Sequence, residues 1–165
     1  MSIDLNVDIE FPPDMKKLGS GGTAFILKAK MISSQLILKY GETDAAVKII
    51  KESKEDKMES IRKNFLYEIS IMSALPKSPN IVQMFGYSNE PMAIVMKFYS
   101  FSLKDLITKK DFQSTPEIIL KVAFDIAAGL NEIHQNHILH LDIKPRMFSY
   151  PIKTFNKHLF PFLSA

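Results

Sequence analysis

The sequence contains no cysteine. This absence excludes a disulfide framework, a cysteine nucleophile and a cysteine-based metal site. It is compatible with a cytoplasmic protein, and a cytoplasmic location is what we expect.

The sequence also lacks a large excess of one charge, because 21 basic and 18 acidic side chains leave a net charge of +3. The lysines are scattered, which favours a solvated surface over a nucleic-acid patch. No apolar run approaches the ~20 residues of a membrane span, and the acidic N-terminus lacks the layout of a signal peptide. We therefore expect neither nucleic acid nor a membrane as a partner.

The composition is that of a folded domain. The chain has 165 residues, of which 46% are apolar and 24% charged. That length allows one domain with a real core, and that balance does not favour disorder. Residues 1–14 are expected to form a short lead-in that ends at Pro12-Pro13.

Strand-like patterns dominate the first half of the chain. "FILKAKMI" and "SQLILKY" are rich in apolar and β-branched residues, and "YGETD" is a turn signal before "AAVKII". Two further strands are expected in "IVQMFGYS" and "MAIVMKFY", joined by a tight "NEP" turn.

Helical periodicity interrupts and then replaces this pattern. Between about Lys54 and Leu75, apolar residues recur at steps of three and four and predict one helix face: Ile61, Phe65, Ile69 and Met72. Ser102 with Asp105 predicts a capped start. Ser114-Thr115-Pro116-Glu117 predicts another, for a helix from Pro116 to about Asn136. That helix is apolar over more than one stripe, so we expect it to be buried on several sides.

Three features carry chemistry. "LGSGGTAFILKA" has three glycines between two strands, and two interpretations remain open: a simple turn, or a loop whose backbone N–H groups close over phosphates. Lys48 lies among apolar residues of a strand and needs an anionic partner, unless it reaches solvent at a sheet edge. Glu68 on the predicted helix is a candidate for that partner, which suggests an ion pair between strand and helix.

These residues, followed by "HLDIKP" at 140–145, resemble the signature set of the protein kinases. The sequence between these motifs agrees with the resemblance. Three further passages look like successive parts of tyrosine-kinase-like and Ser/Thr kinases: "YEISIMSAL…SPNIVQMFGY", "IVMKFYSFSLKDLI" and "AAGLNEIHQNHILHLDIKP". The resemblance covers about Leu18 to Pro145. It implies ATP as the cofactor, Mg²⁺ as its usual metal, and a protein substrate, partner kinase or scaffold as the partner.

The resemblance also implies an adenine and phosphate site. The positions implied to bind the nucleotide are Gly19, Gly21, Gly22, Ile26, Ala46, Lys48, Met96, Lys97 and Tyr99. Ile26 and Ala46 would cover the adenine ring, and Met96 would guard the back of the pocket. Backbone groups of Lys97 and Tyr99 would bond adenine. Ala24 stands where the family has its third glycine, which is a mild change.

Four residues are implied to be catalytic. Lys48, oriented by Glu68, would hold the α- and β-phosphates. Asp142 would accept the proton of the substrate hydroxyl, and Lys144 would steady the γ-phosphate; a lysine there favours Ser/Thr over Tyr substrates. His140 would be a packed structural histidine.

The resemblance fails after Pro145. Leu141 stands where the family has an arginine whose charge pairs with a phosphorylated activation segment. Met147 stands where the family has an asparagine ligand of Mg²⁺, and Ser149 replaces an apolar residue under the adenine. No Asp-Phe-Gly or Ala-Pro-Glu follows, so we expect no protein ligands for the metal. Because the resemblance holds through Pro145 and is lost abruptly at Arg146, we expect that one event caused the loss, such as a frameshift, a retained intron or a misassigned exon.

The predicted fold is α+β and protein-kinase-like, with a five-stranded antiparallel sheet and helix C in a small N-lobe and only the first helices of a C-lobe. The expected segments are a lead-in (1–14), an N-lobe and hinge (15–99), the start of a C-lobe (100–145) and a divergent apolar tail (146–165). The predicted function is ATP binding and phosphoryl transfer to protein hydroxyl groups, impaired in this chain. The alternatives are a pseudokinase-type interaction module and a non-functional truncated product.

Overall fold

The computed structural model describes residues 1–15, 17–110 and 112–150. Within them the chain divides into two compact units, one comprising Met1–Phe98 and the other beginning at Tyr99. The expected apolar tail lies outside the described residues from position 151 onward. No helix in the described part of the chain is long and apolar enough to cross a membrane.

The first unit is an antiparallel sheet with helices on both of its faces. Its helices are α1 (Leu5–Asp8), α2 (Ser34–Tyr40) and α3 (Glu55–Ala74), and its strands are β1 (Ile9–Glu10), β2 (Lys17–Ser20), β3 (Ala24–Met31), β4 (Asp44–Ile50), β5 (Met84–Asn89) and β6 (Met92–Lys97). The strand order is β1-β3-β4-β6-β5, and β2 pairs with β3. This arrangement confirms the predicted α+β class, the five-stranded sheet and the helix between β4 and β5. The two-residue β1 adds a sixth strand, with Ile9 opposite Met31.

Each face of the sheet has its own apolar cluster, because successive side chains of a strand point to opposite faces. Val47 and Val95 lie opposite each other and are fully buried in one cluster with Phe85. Ile94 lies on the other face and packs against Phe65 and Ile69 of α3. The helix periodicity read from the sequence therefore identified the residues that hold α3 to the sheet.

The segment "SQLILKY" was predicted as a strand, and this prediction is wrong. It forms α2, in which Leu36 is buried while Ile37 and Tyr40, at neighbouring helical positions, pack against the same cluster. A strand would place Leu36, Leu38 and Tyr40 on one face, yet Leu38 is 89% exposed. Gly41 ends the helix in the left-handed conformation (φ 67°), and its N–H donates to the carbonyl of Ile37. The spacing of Leu36, Ile37 and Tyr40, which all pack on the sheet, is therefore that of one helix face.

The first residues of the chain contribute to this core. Ile3, Leu5 and Ile9 are each at most 6% exposed and belong to the cluster that also contains α2. The amide of Ile3 donates to the carbonyl of Tyr87 at 2.8 Å, and the amide of Tyr87 donates to the carbonyl of Met1 at 3.1 Å. Residues 1–14, expected as a lead-in, therefore include side chains that pack inside the first unit.

The second unit consists of β7 (Phe101–Ser102), α4 (Leu103–Ile107), α5 (Pro116–Gln135), a 3₁₀ helix (Pro145–Met147) and β8 (Ser149–Tyr150), with β7 and β8 paired antiparallel. The predicted capping box is confirmed, because the hydroxyl of Ser102 accepts from the amide of Asp105 and the carboxylate of Asp105 accepts from the amide of Ser102. The predicted start of α5 is also confirmed, with Thr115 as its cap and Pro116 in its first turn.

Burial of α5 on several sides is not observed. Ile118 and Val122 pack with Leu106 and Phe148 in a small cluster on one side of the helix. Ile119, Leu120 and Phe124 remain 55–73% exposed. In the described part of the second unit, Ile119, Leu120 and Phe124 of α5 thus face solvent, while Ile126, Leu130 and Ile133 are half-buried.

Candidate functional site

The centre of the candidate site is an ion pair between β4 and α3. The ammonium of Lys48 lies 2.6 Å from Oε1 and 2.7 Å from Oε2 of Glu68, so it bonds both carboxylate oxygens. The side chains are 25% and 37% exposed. The predicted contact between strand and helix is therefore confirmed. At this exposure the pair contributes on the order of 1 kcal/mol or less to stability, so its main physical effect is to fix the position of the ammonium.

The predicted adenine-side residues share one face of the sheet with this lysine. Ile26 lies directly opposite Lys48, and Ala46 lies directly opposite Met96. Because side chains alternate along a strand, Ala46 and Lys48 also point to the same side. Ala46 is buried, and Ile26 and Met96 are half-buried. Three neighbouring strands thus present two aliphatic side chains, a methyl group and a fixed cation on one surface.

The glycine cluster forms the turn between β2 and β3. Gly19 lies opposite Ile26 in the ladder, and the amide of Gly21 closes the turn by donating to the carbonyl of Ala24 at 2.8 Å. None of the three glycines has a positive φ, in contrast to Gly41. A Cβ added at Gly19 or Gly22 would meet no atom within 4 Å.

These observations bear on the two interpretations of the glycines. Neither backbone strain nor crowding within the unit requires glycine at these positions. The simple-turn interpretation therefore leaves them without a structural reason. The open space that a Cβ would fill favours the interpretation in which a ligand approaches the backbone.

The predicted backbone contacts to adenine lie at the end of β6 and just after it. The amide of Lys97 donates to the carbonyl of Gln83 at 2.9 Å, so its contact with a base would have to use the carbonyl oxygen. The ammonium of Lys97 pairs with Glu42 at 2.7 Å. Tyr99 begins the second unit, and its role stays a prediction.

The predicted catalytic residues of the second unit precede its 3₁₀ helix. The ammonium of Lys144 bonds Oδ2 of Asp142, and the two side chains are 42% and 68% exposed. The amide of Asp142 donates to Nδ1 of the half-buried His140 at 3.3 Å. The histidine thus orders the loop through a hydrogen bond, which fits the structural role expected for it. The structure brings the carboxylate and the ammonium together, in contact with each other.

The described residues do not fit a protein-held Mg²⁺. Met147 occupies the position where an asparagine oxygen is expected, and its thioether is a weak ligand for an ion that prefers oxygen. Across residues 1–15, 17–110 and 112–150, no group of three or more histidine, aspartate or glutamate side chains lies together as a possible metal site. We therefore assign no step of phosphoryl transfer to a metal held by this chain.

One residue beside the glycine turn was not identified from the sequence. The ammonium of Lys51 donates to the carbonyl of Gly21 at 2.6 Å, and its amide donates to the carbonyl of Thr23 at 2.9 Å. The only sequence signal is its distance along the chain from Lys48, because the residue after the end of β4 faces the turn that precedes β3. A surface lysine carries no other signature.

Comparison with known proteins gives a consistent result. The family model described as "Protein tyrosine and serine/threonine kinase" matches residues 14–147. The chain is similar to a probable serine/threonine-protein kinase of Dictyostelium discoideum, with 33% identity over 78% of this chain and 10% of that protein. It is also similar to a putative serine/threonine-protein kinase/receptor of Acanthamoeba polyphaga mimivirus, with 33% identity over 79% and 7%. A serine/threonine-protein kinase of Arabidopsis thaliana is 32% identical over 64% of this chain and 18% of its own length. The chain therefore spans less than a fifth of each of these relatives.

Proposed function

The chain belongs to the protein tyrosine and serine/threonine kinase family, and on that premise we propose that its first unit binds ATP while its capacity for phosphoryl transfer is impaired. The observation that carries the proposal is the placement of Lys48. Glu68 fixes its ammonium on the sheet face that also presents Ile26, Ala46 and Met96.

The proposed roles follow from the chemistry of these side chains. A fixed ammonium binds the negative oxygens of the α- and β-phosphates without first having to be ordered. Ile26 and Ala46 supply the apolar surface on which an adenine ring packs, and Met96 limits its depth. The turn that carries Gly19, Gly21 and Gly22 supplies backbone donors for phosphate oxygens, apart from the amide of Gly21, which already donates to the carbonyl of Ala24.

Transfer to a protein hydroxyl is proposed to be weak in this chain. Phosphoryl transfer depends on positioning and on neutralising the charge of the phosphates. Asp142 would accept the proton of the hydroxyl and Lys144 would steady the γ-phosphate, yet the two bind each other. Met147 offers no oxygen to a metal. Both facts reduce the charge stabilisation that the reaction needs. Ser/Thr protein substrates and a cytoplasmic location belong to the same proposal, supported by Lys144 and by the lack of cysteine.

The first test is nucleotide binding by the full chain. Lys48→Met should weaken ATP binding by about 10- to 100-fold, since a charge-assisted hydrogen bond contributes about 1.5–3 kcal/mol. Isothermal titration calorimetry with ATP and with adenosine measures this. Lys121→Met is the control, because it removes another ion-paired lysine, 2.9 Å from Asp125 in α5. Equal affinity of the Lys48→Met and wild-type chains for ATP would contradict the proposal.

A transfer assay with radiolabelled ATP and a generic protein substrate accompanies this test. We expect bound ATP with little label on protein, and no gain from added Mg²⁺ comparable to that of a reference kinase. Efficient Mg²⁺-dependent labelling by the wild-type chain would show that impairment is wrong and that the nucleotide assignment alone is correct.

A second candidate function is a protein-interaction module. The observation that favours it is the exposure of Ile119, Leu120 and Phe124 on α5. Binding to a partner kinase domain without transfer, unaffected by Lys48→Met and lost in Phe124→Ser, would support it. Rapid aggregation or degradation of the purified chain would instead support a non-functional product.

A further inference from the structure

The glycine turn is held by a lysine that the family comparison does not single out. Lys51 contacts the turn at two points, because its ammonium bonds the carbonyl of Gly21 at 2.6 Å and its amide bonds the carbonyl of Thr23 at 2.9 Å. A third bond closes the turn itself, from the amide of Gly21 to the carbonyl of Ala24. Three hydrogen bonds thus fix four residues.

The partner of this ammonium differs from those of the three ion-paired lysines in the unit. Lys28, Lys48 and Lys97 each place the ammonium against a carboxylate. Lys51 instead bonds a main-chain carbonyl, although Glu52 is its direct neighbour in sequence. A hydrogen bond from a charged donor is roughly twice as strong as a neutral one. The contact is therefore suited to hold backbone rather than to balance charge.

The turn needs such a contact more than other turns do. Glycine populates a wide range of backbone conformations, and fixing one residue costs roughly 1–2 kcal/mol. Gly21, Gly22 and Thr23 are all exposed, and nothing lies within 4 Å of a Cβ at Gly22. Side-chain packing therefore does not fix this turn, and the two bonds from Lys51 do.

We propose that Lys51 is a positioning residue for the nucleotide: it holds the Gly21–Thr23 turn in one conformation. The backbone amides of the turn other than that of Gly21, which bonds Ala24, are thereby arranged for the phosphate oxygens before ATP binds. This inference rests on the proposed ATP site. It goes beyond that site by assigning the side-chain part of the ordering of the turn to Lys51, since the other two bonds are main-chain bonds. Its consequence is selective, because adenosine has no phosphate for the turn to bind.

The test compares four forms of the full chain. Wild type, Lys51→Met, Lys51→Arg and Lys54→Met are titrated with ATP and with adenosine. Lys54 is the matched control, since it is an exposed lysine three residues further on whose side chain makes no capping bond at the start of α3. Peptide-resolved hydrogen exchange of residues 17–25 without nucleotide reports the order of the turn.

Lys51→Met should weaken ATP binding by about 5- to 10-fold, which corresponds to about 1–1.4 kcal/mol, and leave adenosine binding within about twofold. Exchange of the turn amides should rise in the same variant. Lys51→Arg keeps a charged donor and should restore both readouts, while Lys54→Met should match wild type. The exchange readout separates positioning from a direct charge effect, because a direct effect would leave exchange without nucleotide unchanged.

Four outcomes would overturn the inference. Unchanged or tighter ATP binding by Lys51→Met, or weaker ATP binding with unchanged exchange, shows that the Lys51 side chain does not prepare the turn. An equal loss for ATP and adenosine shows a general structural effect. A wild-type chain that binds neither ligand overturns the ATP site itself and this inference with it, whereas the other three results leave that site intact.

Discussion

Replacing Ile3 tests whether the first residues of the chain belong to the folded unit. Ile3 is 2% exposed and packs with Leu5, Ile9 and Phe85. Its amide also pairs with the carbonyl of Tyr87 in β5. Ile3→Ala removes the side chain and leaves this backbone bond in place. The variant therefore measures packing alone.

The expected loss is substantial relative to the stability of one domain. Deleting buried methyl groups in isoleucine-to-alanine changes costs about 2–5 kcal/mol, out of a total of about 5–15 kcal/mol. We expect the lower half of that range, about 2–3 kcal/mol. With a urea dependence of about 1–3 kcal/mol/M, the midpoint falls by roughly 0.7–3 M.

The assay must report on the first unit alone. The chain has no tryptophan, so hydrogen exchange of peptides from β4 across a urea series is the direct measure. Val7→Ala is the matched control, since Val7 lies in the same segment but is 65% exposed, and it should change stability by less than about 0.5 kcal/mol. Equal effects of the two variants would refute the packing of this segment on the sheet.

Two further predictions follow from single contacts. Gly86→Ala places a Cβ 2.6 Å from Cδ1 of Ile3 and from the carbonyl of Met1, so it should cost about 1–3 kcal/mol by the same exchange measurement; no loss would show that the segment moves aside freely. The hydroxyl of Thr115 holds the pKa of Glu117 below its ordinary value of 4.5. Ionised Glu117 therefore favours the folded chain above that value, and this contribution is lost as the pH falls through the folded pKa. In Thr115→Val, an NMR titration should show the pKa of Glu117 returning towards 4.5, and an unchanged pKa would exclude the hydroxyl as its cause.

The sequence allowed the sheet, α3 and the central ion pair to be predicted because each has a distinct pattern. Phe65 and Ile69 recur at helical spacing, and Lys48 stands out as a charge among apolar strand residues. Burying an unpaired charge is costly. The position of Lys48 among apolar residues therefore predicted an anionic partner on a neighbouring element. Glu68, set among the apolar residues of the helix, was the candidate, and the two side chains do meet.

The errors arose where short patterns are ambiguous. A seven-residue segment such as "SQLILKY", with four apolar residues, is too short for its pattern to distinguish a strand from a helix, and what decides for α2 is the cluster that Leu36 and Tyr40 reach. The packing of Ile3 was missed for a related reason, since a few apolar residues near a chain end show no period. Apart from the spacing of Lys51 from Lys48, the contact between Lys51 and Gly21 has no sequence signal, because any surface lysine looks the same until the turn beside it is placed.

The two units differ in a way that bears on the proposed function. The first unit buries apolar clusters on both faces of its sheet, and the cation at Lys48 is fixed on that rigid support. In the described part of the second unit, the buried cluster is centred on Leu106 and Ile118, and its predicted catalytic carboxylate, Asp142, is 68% exposed. Phosphate binding requires a fixed cation, whereas transfer also requires a carboxylate held within hydrogen-bonding distance of the attacking hydroxyl. Local order is lower where buried apolar contacts are fewer. The physical basis for binding is therefore stronger in this chain than the basis for transfer, which is why nucleotide affinity, rather than turnover, is the decisive measurement.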